Sequence, residues 1–550
     1  MIPILTIAQL NKGQRAIVSN ARKWYNGRNA KTYPFVIRGA AGTGKTSIVP
    51  TILSDLNIDD SRCVVVAIAG TAVNNLQQKF EKDGRTIKAS TIAKFLYAPV
   101  TIYKLISTVD PSKNESLSDP DMLLDYFRYK TSLTKDQIQV LRTALKIDKM
   151  RQKSGFPTFK KELVTIKPYL YDNDNIILKL DVKFSHKSKN EANEQLIIID
   201  EAGMVPQKDI DRLIQLKIPI IMCADKYQVG PVNPNNKPEY RQNDYVSDDS
   251  YRYGYELTEL MRQQAANPVL ELASAIKDGY NVMPYYKDIS NPSGTIKIMT
   301  KDAAIAMNQK GQNFWDALLT YAAIQAPSGD WIALCHRNDY VSGFNIKAHE
   351  KYQELNKLNH EVVQENEPLI ITMNNKTSMD LTNGTTCKLV TIHKRSKFFV
   401  IADVLVNDKI FYNVAVNTYE MYNPRINQNF NKPTSKIPAL AQFYANNDSQ
   451  FSQYDIEQYK KDIISLTNED RTSDADLDQA DYLLFVTYGY AMTIHKAQGK
   501  EWHTVALLST SPAYYWSSSN YQNKELYYTA VTRTMFVLNI VDAPLTQLFF

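Results

Sequence analysis

The sequence predicts an α/β protein built from two parallel-sheet cores, each interrupted by an inserted subdomain. Three observations carry that expectation. Residues 33–38, 63–70, 195–200 and 218–225 are near-continuous apolar or β-branched runs, the pattern of strands covered on both faces. Helical stretches fall between these runs, the order that a parallel sheet with crossover helices requires. The pattern also breaks twice, over 98–193 and 382–478, and resumes each time, with further strand-like runs at 331–339, 485–492 and 503–510.

The bulk properties agree with this and exclude little else. A chain of 550 residues suits about three or four domains. Its 44% hydrophobic and 22% charged residues are those of soluble globular protein. No run of about 18 apolar residues reads as a membrane span, and the first residues lack the pattern of a secretory leader. The expected location is the cytoplasm (the host's, if the chain is phage-encoded). A net charge of +6 permits a polyanionic partner without requiring one, because local basic tracks set such affinity. Cys63, Cys223, Cys335 and Cys387 are far apart and form no CxxC pair, which argues against a zinc ribbon or a disulfide framework. Cys63 and Cys223 lie in strand-like runs and read as buried, reduced thiols.

The chemistry begins at the end of the first strand. Gly39-Ala40-Ala41-Gly42-Thr43-Gly44-Lys45-Thr46 fits GxxxxGK[ST], and with Ser47 it forms the expected nucleotide-binding loop. Its glycines let backbone N–H groups turn inward around phosphates, and a helix N-terminus adds partial positive charge. Lys45 is expected on the outer phosphates and the Thr46 hydroxyl on Mg²⁺. Pro50 is expected to kink the helix that follows. Asp200-Glu201 ends the third strand: Asp200 is the expected metal-side carboxylate and Glu201 the group that polarises the attacking water. A Gly-rich turn or an exposed acidic pair is the ordinary alternative for each motif taken alone.

Further motifs follow in order, and together they resemble superfamily 1 helicases of the 5′-to-3′ branch, close to the phage Dda-like and bacterial RecD-like proteins. LNKGQRAIV resembles the adenine-reading motif, with Gln14 as the base contact. AGTAVNNL and ASTIAKFL resemble DNA-contact motifs, offering Thr71, Ser90 and Thr91. Gly70 replaces a usual proline there, and Ala93 stands where relatives commonly carry histidine. ADKYQVGPV resembles the γ-phosphate sensor motif, with Ala224 for glycine and with Asp225 and Gln228 in place. ELTELMRQQ offers Arg262. TYGYAMTIHKAQGKEW places Thr493 and His495 near DNA and Gln498, Gly499 and Glu501 near nucleotide. LYYTAVTRT supplies Arg533, and such an arginine contributes about 10³–10⁵ in rate. Singly, His495, Arg262, Arg533 and Gln14 each have a bland reading as a surface or core residue or a salt-bridge partner.

The resemblance implies two RecA-like P-loop cores, a pin-bearing insertion in the first and an SH3-like β-barrel in the second. The expected domains are 1–97 with 194–255, the insertion 98–193, 256–381 with 479–550, and the barrel with an extension over 382–478. A hairpin near 163–184 is the expected pin, with Tyr169, Tyr171 and Phe184 as candidate aromatics. The stretch 417–478, rich in Tyr, Asn and Gln, reads as either an ordered extension or a mobile arm. The implied activity is ATP- and Mg²⁺-dependent unwinding of DNA in replication, recombination or repair. The chain is expected to move on single strands, meet single/double-strand junctions, and act as a monomer. A single-strand binding protein or replisome component is the expected partner. The alternatives are a translocase that strips proteins without unwinding and a non-motor P-loop protein.

Overall fold

The computed structural model describes residues 9–68, 70–82, 84–107, 115–117, 176–186, 194–231, 240–259, 267–280, 287–300, 313–373, 383–406, 408–421, 437–448, 451–467, 483–509 and 521–542, with isolated positions between them. The chain divides into two compact units, residues 91–193 with 215–217, and the remainder.

The larger unit begins with helix α1 (Lys12–Tyr25), which buries Ile17, Val18, Ala21 and Trp24 on one face. Strand β1 (Phe35–Gly39) is wholly buried and runs into the phosphate-loop sequence. Pro50 does not kink a helix interior. A 3-10 turn at Thr46–Ile48 precedes α2 (Val49–Asp55), so the proline falls in the first helical turn, where no intrahelical N–H donor is needed. Strand β2 (Cys63–Ala67), helix α3 (Gly70–Lys82) and strand β3 (Lys88–Thr91) follow.

The smaller unit contains β4 (Tyr97–Ser107), β5 (Glu115–Leu117) and β6 (Ile176–His186), ordered β5-β4-β6. Of the expected hairpin near 163–184, the structure describes only β6. β6 pairs antiparallel with β4, from Tyr97 opposite His186 to Ser107 opposite Ile176. Among the described residues its partner is thus the start of the insertion; the residues just before β6 lie outside the described ones. A pairing across some 70 residues leaves no turn signal beside either strand. Phe184 lies on β6 opposite Pro99; Tyr169 and Tyr171 lie outside the described residues.

The first core resumes with β7 (Leu196–Ile199), α4 (Gln207–Gln215), β8 (Ile220–Ala224) and β9 (Gly254–Leu257). The sheet order is β3-β2-β7-β8-β1-β9, with parallel pairing among β2, β7, β8, β1 and β9. Parallel strands put all their carboxyl ends on one edge, where such sheets bind ligands. The phosphate loop after β1, Asp200 after β7 and Asp225 after β8 therefore share that edge.

The second core contains α5 (Pro268–Asp278), β10 (Ile289–Asn291), β11 (Gly294–Thr300), α6 (Phe314–Gln325), β12 (Trp331–Cys335) and α7 (Asn338–Asn356). A closed barrel then interrupts it, formed by β13 (Leu369–Ile371), β14 (Thr386–Arg395), β15 (Phe399–Val406), β16 (Lys409–Asn417) and, after two helices, β17 (Leu484–Tyr488). Its first and last strands come from outside the 382–478 span. Residues 437–467 include α8 (Ile437–Asn447) and α9 (Gln453–Thr467). Tyr444 and Tyr459 from these helices join Phe398, Phe399 and Phe451 in one aromatic cluster. This much of the Tyr-rich stretch is an ordered extension.

The 485–492 run, expected as one strand, is shared between two sheets. β17 closes the barrel, whereas β18 (Ala491–Thr493) pairs with β12 in the core sheet. The switch needs Gly489: a Cβ there would lie 3.0 Å from the Pro368 carbonyl carbon, and the Gly489 N–H donates to that carbonyl at 2.7 Å. β19 (Trp502–Ser509), α10 (Tyr521–Val531) and β20 (Thr534–Asp542) complete the sheet β10-β11-β20-β19-β12-β18. The architecture is two RecA-like cores with an inserted barrel. All four cysteines are buried and unbridged. Among the described residues no helix is long and apolar enough to cross a membrane.

Candidate nucleotide and nucleic-acid site

Between the two cores lies a cleft of ≈ 660 Å³. From the first core it takes Ala41, Gly42, Gly44, Lys45, Thr46, Ser47, Ala72, Leu76, Asp200, Glu201 and Gln228, and from the second Gly499, Glu501, Arg533 and Met535. Residues scattered over nearly the whole sequence thus share one cavity.

The loop's shape follows from its glycines. Gly42 and Gly44 have φ of 81° and 83°, a region where a Cβ is strained. A Cβ on Gly39 would meet Thr43 Oγ1 at 2.5 Å. Lys45 Nζ donates to the carbonyls of Gly39 (2.8 Å) and Ala40 (3.0 Å). The Thr46 hydroxyl donates to Asp200 at 3.1 Å, so hydroxyl and carboxylate sit side by side as an oxygen pair suited to a hard divalent cation. Glu201 is left-handed, with φ of 49°. Burial, and then the adjacent Asp200 charge, push its carboxyl up, while Arg533 and Lys45 pull it back. Such a group is suited to taking up a proton.

The segment of the expected sensor motif is knitted to the second core. Asp225 and Gln228 are buried, and Gln228 Nε2 donates to Asp225 at 3.4 Å. Gln498 Nε2 donates to the Val229 carbonyl at 3.0 Å, and the Val229 N–H donates to Thr529 Oγ1 at 3.1 Å. Arg533 is buried and oriented by its Nε on the Thr529 carbonyl (3.1 Å) and one Nη on the Lys500 carbonyl (3.2 Å). The buried oxygens Gln228 Oε1 and Gln498 Oε1 have no hydrogen-bond partner among the described residues. An unpaired buried polar atom is costly, so both fit a site that takes a polar ligand.

Sequence reasoning missed Tyr528. Its buried hydroxyl donates to Asp225 Oδ2 at 2.8 Å and accepts the Ala41 N–H of the phosphate loop at 3.3 Å. One second-core side chain therefore touches both the loop and Asp225. Its place inside YTAVTR was the available signal, but only tertiary contact reveals the partners.

The remaining expected residues are not all gathered here. Gln14 is absent from the cleft lining and sits in the capping box of α1: the Asn11 side chain accepts the Gln14 N–H at 2.7 Å, and Gln14 Oε1 accepts the Asn11 N–H at 3.2 Å. Gln14 Nε2 remains buried and unpartnered among the described residues. Arg262 lies outside the described residues, and Thr71 is placed only as a residue of α3. Ser90 is buried on β3, and Thr91 accepts the Lys94 N–H at 3.2 Å as a helix cap. Thr493 is buried and accepts the Lys496 N–H at 3.4 Å. His495 opens the turn leading to Gln498, and burial lowers its pKa.

This arrangement defines a two-core P-loop protein whose nucleotide cleft is completed by an arginine from the second core. Two family models match the chain: the AAA domain over residues 9–291 and the UvrD-like helicase C-terminal domain over residues 488–541. The first spans more than half of the sequence, and the protein belongs to the AAA domain family. With the second match, the helicase part of the expected resemblance is borne out. No curated protein sequence matches the chain. Among solved structures, the Pif1 helicase from Candida albicans is similar at 13% identity and a TM-score of 0.41, covering 98% of this chain and 95% of that one. A Pif1 helicase from Bacteroides, in complex with ADP-AlF3 and single-stranded DNA, is similar at 11% identity and a TM-score of 0.42, covering 96% and 92%.

Proposed function

We propose that the protein is an ATP-dependent DNA helicase that moves 5′-to-3′ on single strands. The observation that carries this reading is the shared cleft, in which Lys45, Thr46, Asp200, Glu201 and Gln228 face Glu501 and Arg533 across the two cores. Nucleotide held there touches both cores, so its turnover changes their relative disposition, and that coupling is what a motor needs. In this reading the loop from Gly39 to Ser47 cradles the phosphates. Lys45 exchanges its carbonyl partners for phosphate oxygens, and Glu201 accepts a proton from the attacking water. Arg533 stabilises charge on the transferring phosphoryl group, and Gln228 reports the outer phosphate to Asp225 and Tyr528. Thr46 and Asp200 would hold Mg²⁺, whose charge neutralises the phosphates. Gln14, through its Nε2, which is unpartnered among the described residues, reads the base.

Thr71, Ser90, Thr91, Thr493 and His495 are the proposed strand contacts. The barrel adds a surface suited to a polyanion: Lys394, Arg395 and Lys409 are exposed on it with Tyr412, which is 71% exposed. The motif resemblance supports the 5′-to-3′ direction and a role in replication or recombination, breaks in the strand pattern support the domain limits, and completion of the cleft by two cores of one chain supports action as a monomer.

The test is ATP-driven unwinding of two matched partial duplexes, one with a 5′ tail and one with a 3′ tail. Opening of the 5′-tailed substrate only, abolished by Lys45→Ala, is the expected result. Opening of the 3′-tailed substrate only would keep the motor and overturn the direction. Single-strand-stimulated hydrolysis without opening would make the protein a translocase.

A further inference from the structure

Position 500 lies between two cleft residues and is itself turned away from the cleft. Gly499 and Glu501 line the nucleotide cavity, and Gly499, with φ of 75°, packs so closely that a Cβ would lie 3.3 Å from Ala72 Cβ of the first core. Lys500 faces both ways by its two ends. Its backbone carbonyl accepts one Nη of Arg533 at 3.2 Å. Its side chain runs the other way, past the Trp502 ring (5.9 Å to the centroid), and Nζ donates to the Gly384 carbonyl.

Gly384 belongs to the tight Asn383–Gly384 turn at the entrance of the barrel. It has φ of 86°, and its N–H donates to the Ile371 carbonyl of β13 at 2.7 Å, while the Ile371 N–H donates to Thr385 at 2.9 Å. The turn thus moves with β13 and with the start of β14. On the other side, the Arg533 carbonyl accepts the Trp502 N–H at 2.9 Å, so the 500–502 segment and the arginine are tied twice. A single side chain therefore links the barrel's entrance to the segment that orients the arginine of the cleft. Nothing in the nucleotide chemistry calls for an amine at this position, and burying one beside Lys496 costs free energy, which its bond to the Gly384 carbonyl offsets only in part.

We propose that Lys500 is a positioning residue that relays the disposition of the barrel to Arg533, so that a nucleic acid strand held by the barrel accelerates nucleotide hydrolysis. This rests on the helicase reading above. Strand binding shifts the barrel and its entrance turn, Nζ carries that shift to the backbone of residue 500, and the carbonyl of residue 500 resets the guanidinium.

The experiment measures steady-state ATP hydrolysis with and without a single-stranded oligodeoxynucleotide, for the full chain, Lys500→Met and Lys500→Arg. Methionine keeps a long unbranched side chain without a donor; arginine restores one. Lys500→Met is expected to keep unstimulated turnover and the KM for ATP within about twofold, and to lose about tenfold of the stimulation. Lys500→Arg should recover most of it. Oligonucleotide affinity, read by fluorescence anisotropy, should be unchanged in Lys500→Met. Full stimulation in Lys500→Met would overturn the proposal. A parallel fall in stimulated and unstimulated turnover, the mark of a merely structural role, would overturn it too, as would a matching loss of affinity, the mark of a direct strand contact. No stimulation of the unaltered chain would instead overturn the helicase reading on which the proposal rests.

Discussion

The two cores share one architecture but end their corresponding strands differently. In the first, β1 leads into a loop whose Gly42 and Gly44 have positive φ, so the backbone bends back on itself and presents N–H groups. In the second, β12 leads through His336 to Arg337, which sits in ordinary extended backbone (φ −116°) as the residue before α7. Its guanidinium pairs with Asp339 and lies 4.7 Å over the Tyr340 ring. The first core carries the bent loop; the second brings Arg533 into the cleft and sets Gln498 and Tyr528 against the first core. The cations differ in the same sense. Lys45 rests on carbonyls of its own loop, partners it can exchange, whereas Arg533 is buried and braced by neighbours that fix its direction. In the proposed function the two cores thus divide the labour at this loop.

If that division is right, removing the braced cation has the largest effect. Arg533→Ala should lower kcat by about 10³–10⁵ while nucleotide affinity, read by a fluorescent ATP analogue, changes little. Equal losses in affinity and rate would mean that the second core binds nucleotide rather than acting on it. Lys45→Ala should lower hydrolysis by about 10²–10³ and weaken nucleotide binding as well, because its partner is the bound phosphate itself. Tyr528→Phe keeps the ring and removes only the hydroxyl that joins Asp225 to Ala41. Turnover should fall about tenfold, equivalent to ~1.4 kcal/mol; an unchanged kcat would show that the two cores are not coupled through this contact.

The smallest effect concerns the relay. Burial, and then Lys496, push the Lys500 amine down to about 8. The unfolded chain therefore holds the extra proton between pH 8 and the usual lysine value of about 10.4, while the folded chain has released it. Stability relative to Lys500→Met should rise with pH across that window and stay flat below it. Thermal unfolding of both proteins from pH 7 to 10 checks the sign, and a difference that shrinks with rising pH would contradict it.

Much of the cleft was legible beforehand because its geometry is local. A Gly-rich loop ending in Lys45-Thr46 and an acidic pair after an apolar strand announce themselves within a few residues. The parallel sheets were likewise readable, since strands buried on both faces are apolar without alternation, as β1, β2 and β8 are. Pro50 misled only about position: the helix starts later than its sequence suggests. Gln14 was singled out as a base contact, yet its part in capping α1 was overlooked, although Asn11 three residues earlier is the expected companion.

By itself the sequence determined the kind of loop, the strands that are buried and the order of the motifs. All of these depend on chemistry within a turn or two of chain. Only the tertiary structure decided that β6 pairs with β4 and that the barrel closes with strands from 369–371 and 484–488. It alone placed Tyr528 between Ala41 and Asp225, and Lys500 between Arg533 and Gly384. Those choices join residues tens to hundreds of positions apart, and a partner so distant leaves no periodicity or turn signal at either end. They are selected by how the whole buries its apolar faces and satisfies its buried polar groups.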